Sequence, residues 1–126
     1  MAVARRSFVG GGLALALLGK EGFAMGDGTA MWGMIARIKA QPGQRAALAA
    51  ILAGGPGAMP GCLAYILSED LADADTLWVT EYWDSKASHD ASLSLPAVKE
   101  AIGKGRPLIA GFERGAELRP VSGLKR

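Results

Sequence analysis

Thr76-Leu77-Trp78-Val79-Thr80-Glu81-Tyr82-Trp83 is the run that decides the fold: six of its eight residues are β-branched or aromatic, the composition of a strand in a half-buried sheet. Successive strand residues point to opposite faces, so Glu81 and Trp83, two apart, lie on the same one. Immediately upstream, Asp70 to Asp75 is a short acidic connection rich in Asp and Ala. Before that, Cys62 to Glu69 (CLAYILSE) reads as another strand, so the two runs form a hairpin.

Working outward toward the N-terminus, Met59-Pro60-Gly61 is a turn, and Pro42 to Ala53 is a strongly apolar helix stopped by Gly54-Gly55-Pro56-Gly57. Met31 to Lys39 alternates Met34, Ala36 and Ile38 against Ile35, Arg37 and Lys39, the period of a strand. Toward the C-terminus, Asp84 or Ser85 caps a helix that continues through Ala87, Ala91 and Leu93 until Pro96. A second helical piece follows from Ala97 to Gly103, closed by Pro107. Ile109 to Leu118 is a last strand with Gly111 and Gly115 as expected bulge positions, and residues 119–126 form a polar tail.

The order is β-α-β-β-α-β, which predicts an α+β, ferredoxin-like domain with two helices over one face of a four-stranded antiparallel sheet. The other sheet face then needs a cover of its own. A homodimer, its two sheets packed face to face, is the expected solution.

At 126 residues and half apolar, the chain has the size and balance of one globular domain. Arg5, Arg6 and Lys20 against Glu21 carry the whole net charge of +2, leaving residues 25–126 with 11 basic and 11 acidic groups. A neutral domain without a basic stripe lacks the electrostatic footprint of a nucleic-acid binder. One cysteine, Cys62, and one histidine, His89, fall short of a zinc ligand set, and no acidic spacing resembles a calcium loop, so no metal is expected. Cys62 inside a strand reads as a small apolar residue.

Residues 1–24 combine the pair Arg5-Arg6 with an apolar run from Phe8 to Leu18 and small residues at Gly22 and Ala24. This resembles a twin-arginine export signal, which implies a periplasmic protein with a mature chain starting near Met25 after a flexible lead-in over residues 25–30. A start at Met25 or Met31 would instead leave the protein in the cytoplasm. The apolar run is about half the roughly 20 residues that span a bilayer, so a stable membrane anchor is not expected.

From 31 to 118 the residues Met59-Pro60-Gly61-Cys62-Leu63-x-Tyr65, Glu81-x-Trp83-Asp84-Ser85-x-Ala87, Leu95-Pro96-x-Val98 and Pro107-Leu108-Ile109 resemble the antibiotic-biosynthesis monooxygenase domain, a dimeric α/β-barrel family. The resemblance implies a dimer whose sheets form a barrel, an apolar pocket in each subunit, and relatives that include cofactor-independent quinol and polyketide oxygenases. Two departures stand out. The family often has a histidine nine residues after the tryptophan, where this chain has Ser92, with His89 one turn earlier; and haem-degrading relatives use an asparagine, a residue this chain lacks.

Oxygenation without a cofactor needs an electron-rich aromatic, a base for its phenolic proton and a dry pocket. His89, whose ordinary pKa lies near neutrality, is the candidate base, or else a surface residue beside Asp90. His89, Ser92 and Leu93 share one helix face. Tyr65 and Tyr82 are the candidate hydroxyl partners; Trp83, Glu81, Ser92 and Arg106 are the candidate substrate-pocket residues. Glu81 is read either as a pocket carboxylate with a raised pKa or as a structural charge paired with Arg37 or Arg114. Trp32, Trp78 and Phe112 are read as core or dimer-interface aromatics. The expected function is cofactor-independent oxidation of a quinol or similar aromatic by dioxygen; the alternative is a non-catalytic dimer that binds a small aromatic ligand.

Overall fold

The computed structural model describes residues 30–54 and 57–124; the expected export segment therefore lies outside the described residues. The chain runs β1 (Trp32–Ala40), α1 (Arg45–Gly54), β2 (Cys62–Glu69), β3 (Thr76–Trp83), α2 (Lys86–Ser92), α3 (Pro96–Gly105), a 3₁₀ turn (Arg106–Leu108) and β4 (Ile109–Leu118). The four strands form one antiparallel sheet in the order β2-β3-β1-β4, which is the ferredoxin-like arrangement.

The first helix starts later than its proline suggests. Gly43 has φ +78°, outside the helical region, and its N–H donates to Asp75 Oδ1 at 3.0 Å, so Pro42-Gly43 is a turn that ties α1 to the β2–β3 connection. Arg45, the first residue of α1, strengthens that tie: Nη1 donates to the carbonyl oxygens of Asp70 and Asp73 at 3.1 and 3.0 Å and, more loosely, to that of Thr76 at 3.4 Å. Of the two candidate caps for α2, Ser85 is the one used, its Oγ accepting from the Ser88 N–H at 3.1 Å. Pro96 occupies the start of α3, where its missing N–H costs nothing, and α3 continues two residues past the expected end.

β4 carries two irregularities. Ile35 pairs with Ala116 and Ala36 with Arg114, so Gly115 is an extra residue, as expected; Lys39 pairs with Gly111 and Ala40 with Ile109, so the second extra residue is Ala110 and not Gly111. A Cβ on Gly115 would lie 3.1 Å from the Ile35 carbonyl oxygen, which explains a glycine there.

The helices cover the sheet face formed by Met34, Ala36, Ile38, Leu77, Val79, Trp83 and Phe112, with Leu48 of α1 completely buried against it. Each of the larger aliphatic and phenyl side chains among them contributes roughly 1.5–3 kcal/mol by leaving water. The opposite face carries Ile66, half exposed, and the cross-strand ion pair Arg37–Glu113 at 3.0 Å, which in water is worth at most about 1 kcal/mol.

Candidate functional site

Three strands and one helix bring the polar residues of the interior together. On β3, Glu81 and Trp83 point toward the helices; Tyr65 of β2 stands opposite Glu81 in the ladder, and Trp32 of β1 stands opposite Trp83. The Ser85 cap fixes where α2 begins, and one turn on His89 enters the space above the strands with 2% of its surface exposed. Its ring lies 4.8 Å from the Trp32 ring and 5.4 Å from the Trp83 ring, which it meets edge-on. The turn beneath this helix needs Gly61: it has φ +89°, and a Cβ there would come within 2.6 Å of the Ser88 side chain.

Glu81 is buried with its charge-bearing end inside. Oε1 accepts a hydrogen bond from Trp83 Nε1 at 2.9 Å and lies 3.9 Å from His89 Nε2. The other imidazole nitrogen, Nδ1, is 3.1 Å from Asp90 Oδ1, and Lys86 Nζ lies 4.0 Å from the second oxygen of Asp90. Ser92 is also buried, but its hydroxyl donates to the His89 carbonyl at 2.6 Å and so braces the helix.

Burial pushes the Glu81 carboxyl above its ordinary range; the nearby His89 and the Trp83 hydrogen bond pull only partly the other way. Burial, with the Glu81 charge behind it, also pushes Tyr65 and Cys62 upward, so the Tyr65 phenol stays protonated and is a donor at neutral pH. A carboxyl whose pKa is raised by folding makes the native state bind more protons than the unfolded chain. Its stabilising contribution is complete below the unfolded value of about 4.5 and is lost as pH rises through the raised folded value. Glu81→Gln is therefore expected to gain on the wild type in denaturation midpoint as pH rises from about 4.5. A pH-independent difference between the two proteins would refute the assignment.

Glu81, His89, Tyr65, Trp83 and Ser92 line a pocket of about 50 Å³, walled otherwise by apolar side chains that include Leu52, Met59, Leu93, Val98 and Ile102. The site is thus small and mostly apolar, with an acid, an imidazole and a phenol as its polar walls apart from the bound Ser92 hydroxyl and the Trp83 N–H. A wider groove of about 310 Å³ runs between α1 and α3, but its only charges are Glu100 and Lys104, paired with each other at 3.2 Å.

The structure brings His89, Tyr65, Trp83, Glu81 and Ser92 to this cavity and leaves two candidates outside. Tyr82 pairs with Gly33 and lies on the helix-free face, because it is one residue from Glu81 and Trp83; its ring covers Gly33. Arg106 is exposed in the 3₁₀ turn. His89 is not a surface residue, and Glu81 pairs with neither arginine: Arg37 faces the other side and binds Glu113, and Arg114 binds Glu117 at 3.2 Å. Sequence reasoning missed Trp32 and Asp90 as site residues. Trp32 shares parity with inward Met34, a signal that was present; Asp90, adjacent to His89, carried none.

Fold and site together define a ferredoxin-like α+β domain with an acid–imidazole pair in a mostly apolar pocket. The chain belongs to the antibiotic biosynthesis monooxygenase family, whose pattern residues 31–104 match. A solved structure from Chloroflexus aurantiacus J-10-fl, named for the same family, is 53% identical, with a TM-score of 0.72 over 75% of this chain and 96% of that one. A Caulobacter crescentus CB15 structure, also named for the family, shares the fold at 24% identity, with a TM-score of 0.66 over 75% of this chain and 92% of that one. No curated protein matches the sequence.

Proposed function

We propose that the chain is a cofactor-independent monooxygenase that oxidises a quinol or similar phenolic aromatic with dioxygen. The observation that carries this reading is the single histidine of the chain, buried in the cavity wall between two indoles with Nε2 toward Glu81. A quinol anion can reduce dioxygen directly, so the protein's share is to hold the ring, take the phenolic proton and exclude water. Quinol and O₂ give hydroxyquinone and water: one oxygen atom enters the ring, the other leaves as water, and the substrate supplies both electron pairs. His89 Nε2 takes the phenolic proton, the Tyr65 hydroxyl donates to the second substrate oxygen, and the Trp83 indole is the flat wall.

A benzene-sized guest needs on the order of 150 Å³. The cavity is smaller, so substrate access requires its apolar wall to move outward. Oxygen uptake by the purified full chain against a panel of quinols tests the proposal; uptake no faster than in buffer with every quinol would count against it. The small volume favours one second reading, a non-catalytic binder, which would show as a raised melting temperature with a quinol and no oxygen uptake.

The working unit in this proposal is a homodimer joined through the helix-free sheet face, where Ile66 is 52% exposed. Ile66→Asp is expected to shift sedimentation from dimer to monomer at micromolar concentration; a wild type that sediments as monomer would end the dimer proposal. Residues 1–24 are proposed to send the folded protein to the periplasm by the twin-arginine route.

A further inference from the structure

His89 joins two carboxyl groups that live in different solvents. On one edge of the ring, Nε2 faces Glu81, whose side chain is 5% exposed; on the other, Nδ1 sits 3.1 Å from Asp90 Oδ1, whose side chain is 39% exposed. The Nδ1 contact has the length of a made hydrogen bond, while the 3.9 Å on the Nε2 side leaves that nitrogen with no hydrogen-bond partner at contact distance. The charged and titratable groups around this ring are Glu81 of β3, Tyr65 of β2 across the cavity, and Asp90 and Lys86 of α2; Glu117 of β4 holds the Trp32 indole that lies against it, by a 2.9 Å bond. Lys86 also lies 5.8 Å above the Trp32 ring, on the side of the imidazole where Asp90 meets solvent.

A small, mostly apolar pocket poses a problem for any reaction that moves protons. Monooxygenation of a quinol first releases a phenolic proton and later consumes protons as water forms, yet the walls are apolar except for the groups named. Among the described residues, Asp90 is the carboxylate in contact with the imidazole and exposed to bulk water.

We propose that Asp90 and His89 form a two-way proton relay between bulk water and the cavity. In the outward step a donor O–H in the cavity breaks as Nε2–H forms, Nδ1–H breaks as an Asp90 O–H forms, and that proton passes to water. The inward step reverses each transfer and returns the ring to its Nδ1–H form, so no net proton or electron is left on the protein. Asp90 acts through His89 and is a positioning and relay residue. Its part in turnover rests on the oxygenase reading, whereas proton exchange at the ring does not.

The single histidine makes the test direct, because a ¹⁵N-labelled full chain gives one set of imidazole signals. In the wild type the ring is expected as the Nδ1–H form, with that proton exchanging with water through Asp90. Asp90→Asn keeps a carbonyl to accept the hydrogen bond but has no basic oxygen, so the same ring form is expected with exchange slower by about tenfold or more, and Asp90→Glu restores it. Equal exchange rates in wild type and Asp90→Asn, with the ring form unchanged, would overturn the relay. If quinols are turned over, Asp90→Asn lowers kcat by about 100-fold with KM unchanged, and added formate recovers part of it. Slowed exchange without oxygen uptake by any form would support the relay and remove the oxygenase reading.

Discussion

Replacement of His89 by alanine is expected to lower quinol-dependent oxygen uptake by about 10²- to 10⁴-fold, the usual worth of a positioned base. The imidazole, hydrogen-bonded to an exposed carboxylate and with Nε2 turned toward the cavity, is the group placed to accept a phenolic proton; burial pushes the Glu81 carboxyl upward, and Tyr65 is a donor. Alanine also leaves a gap between the Trp32 and Trp83 rings, so loss of activity alone would be ambiguous. His89→Gln separates the two effects, since it keeps most of the volume and a donor and acceptor but no titratable nitrogen. Both variants should lose turnover, and only His89→Ala should lose much stability. Oxygen uptake at the wild-type rate in folded His89→Gln would exclude the histidine as base.

The largest effect on stability is expected at Trp83. Its side chain is 1% exposed on the covered sheet face at the end of β3, and its N–H satisfies Oε1 of buried Glu81. Trp83→Ala removes the indole and strands the carboxyl, for a loss of about 3–5 kcal/mol from packing alone. A domain of this size has only about 5–15 kcal/mol to lose, and each kcal/mol lowers its melting temperature by roughly 4–8 °C. A melting point at least about 12 °C below wild type is therefore expected by calorimetry. Trp83→Phe retains a ring but not the donor, and should cost about 1–3 kcal/mol, the penalty of an unmet buried acceptor. If phenylalanine proves as damaging as alanine, the Glu81 bond and not ring volume dominates at this position; if it costs almost nothing, ring volume dominates.

The fold was legible because each strand announced itself locally. Thr76 to Trp83 matches its strand to the residue, and Ile109 to Leu118 likewise, since β-branched or alternating residues ended by polar or proline signals leave little choice of boundary. Pro42 misled because proline suits both a helix start and a turn; Gly43, through its positive φ, decided for the turn. At the site, parity alone placed Glu81 and Trp83 together and would have placed Tyr82 apart from them had it been applied to the tyrosine. His89 could not be assigned from α2 by itself, because a helix of seven residues rich in Ser and Ala has no strong apolar face to orient it. Its burial comes from tertiary placement: the Ser85 cap sets the helix phase, and the two indoles supply the surface it packs on.

The two extra residues in β4 bear on how this molecule avoids its own kind. β4 is an outer strand, and an outer strand offers a row of unpaired N–H and C=O groups to any passing chain. With Ala110 and Gly115 each throwing the ladder out of step within ten residues, that row is not straight, and no regular fifth strand can be laid along it. Fibrous growth by edge addition is blocked on that flank, so any runaway assembly would have to begin at the β2 flank, where the pairing with β3 runs without a break from Ala64 to Glu69.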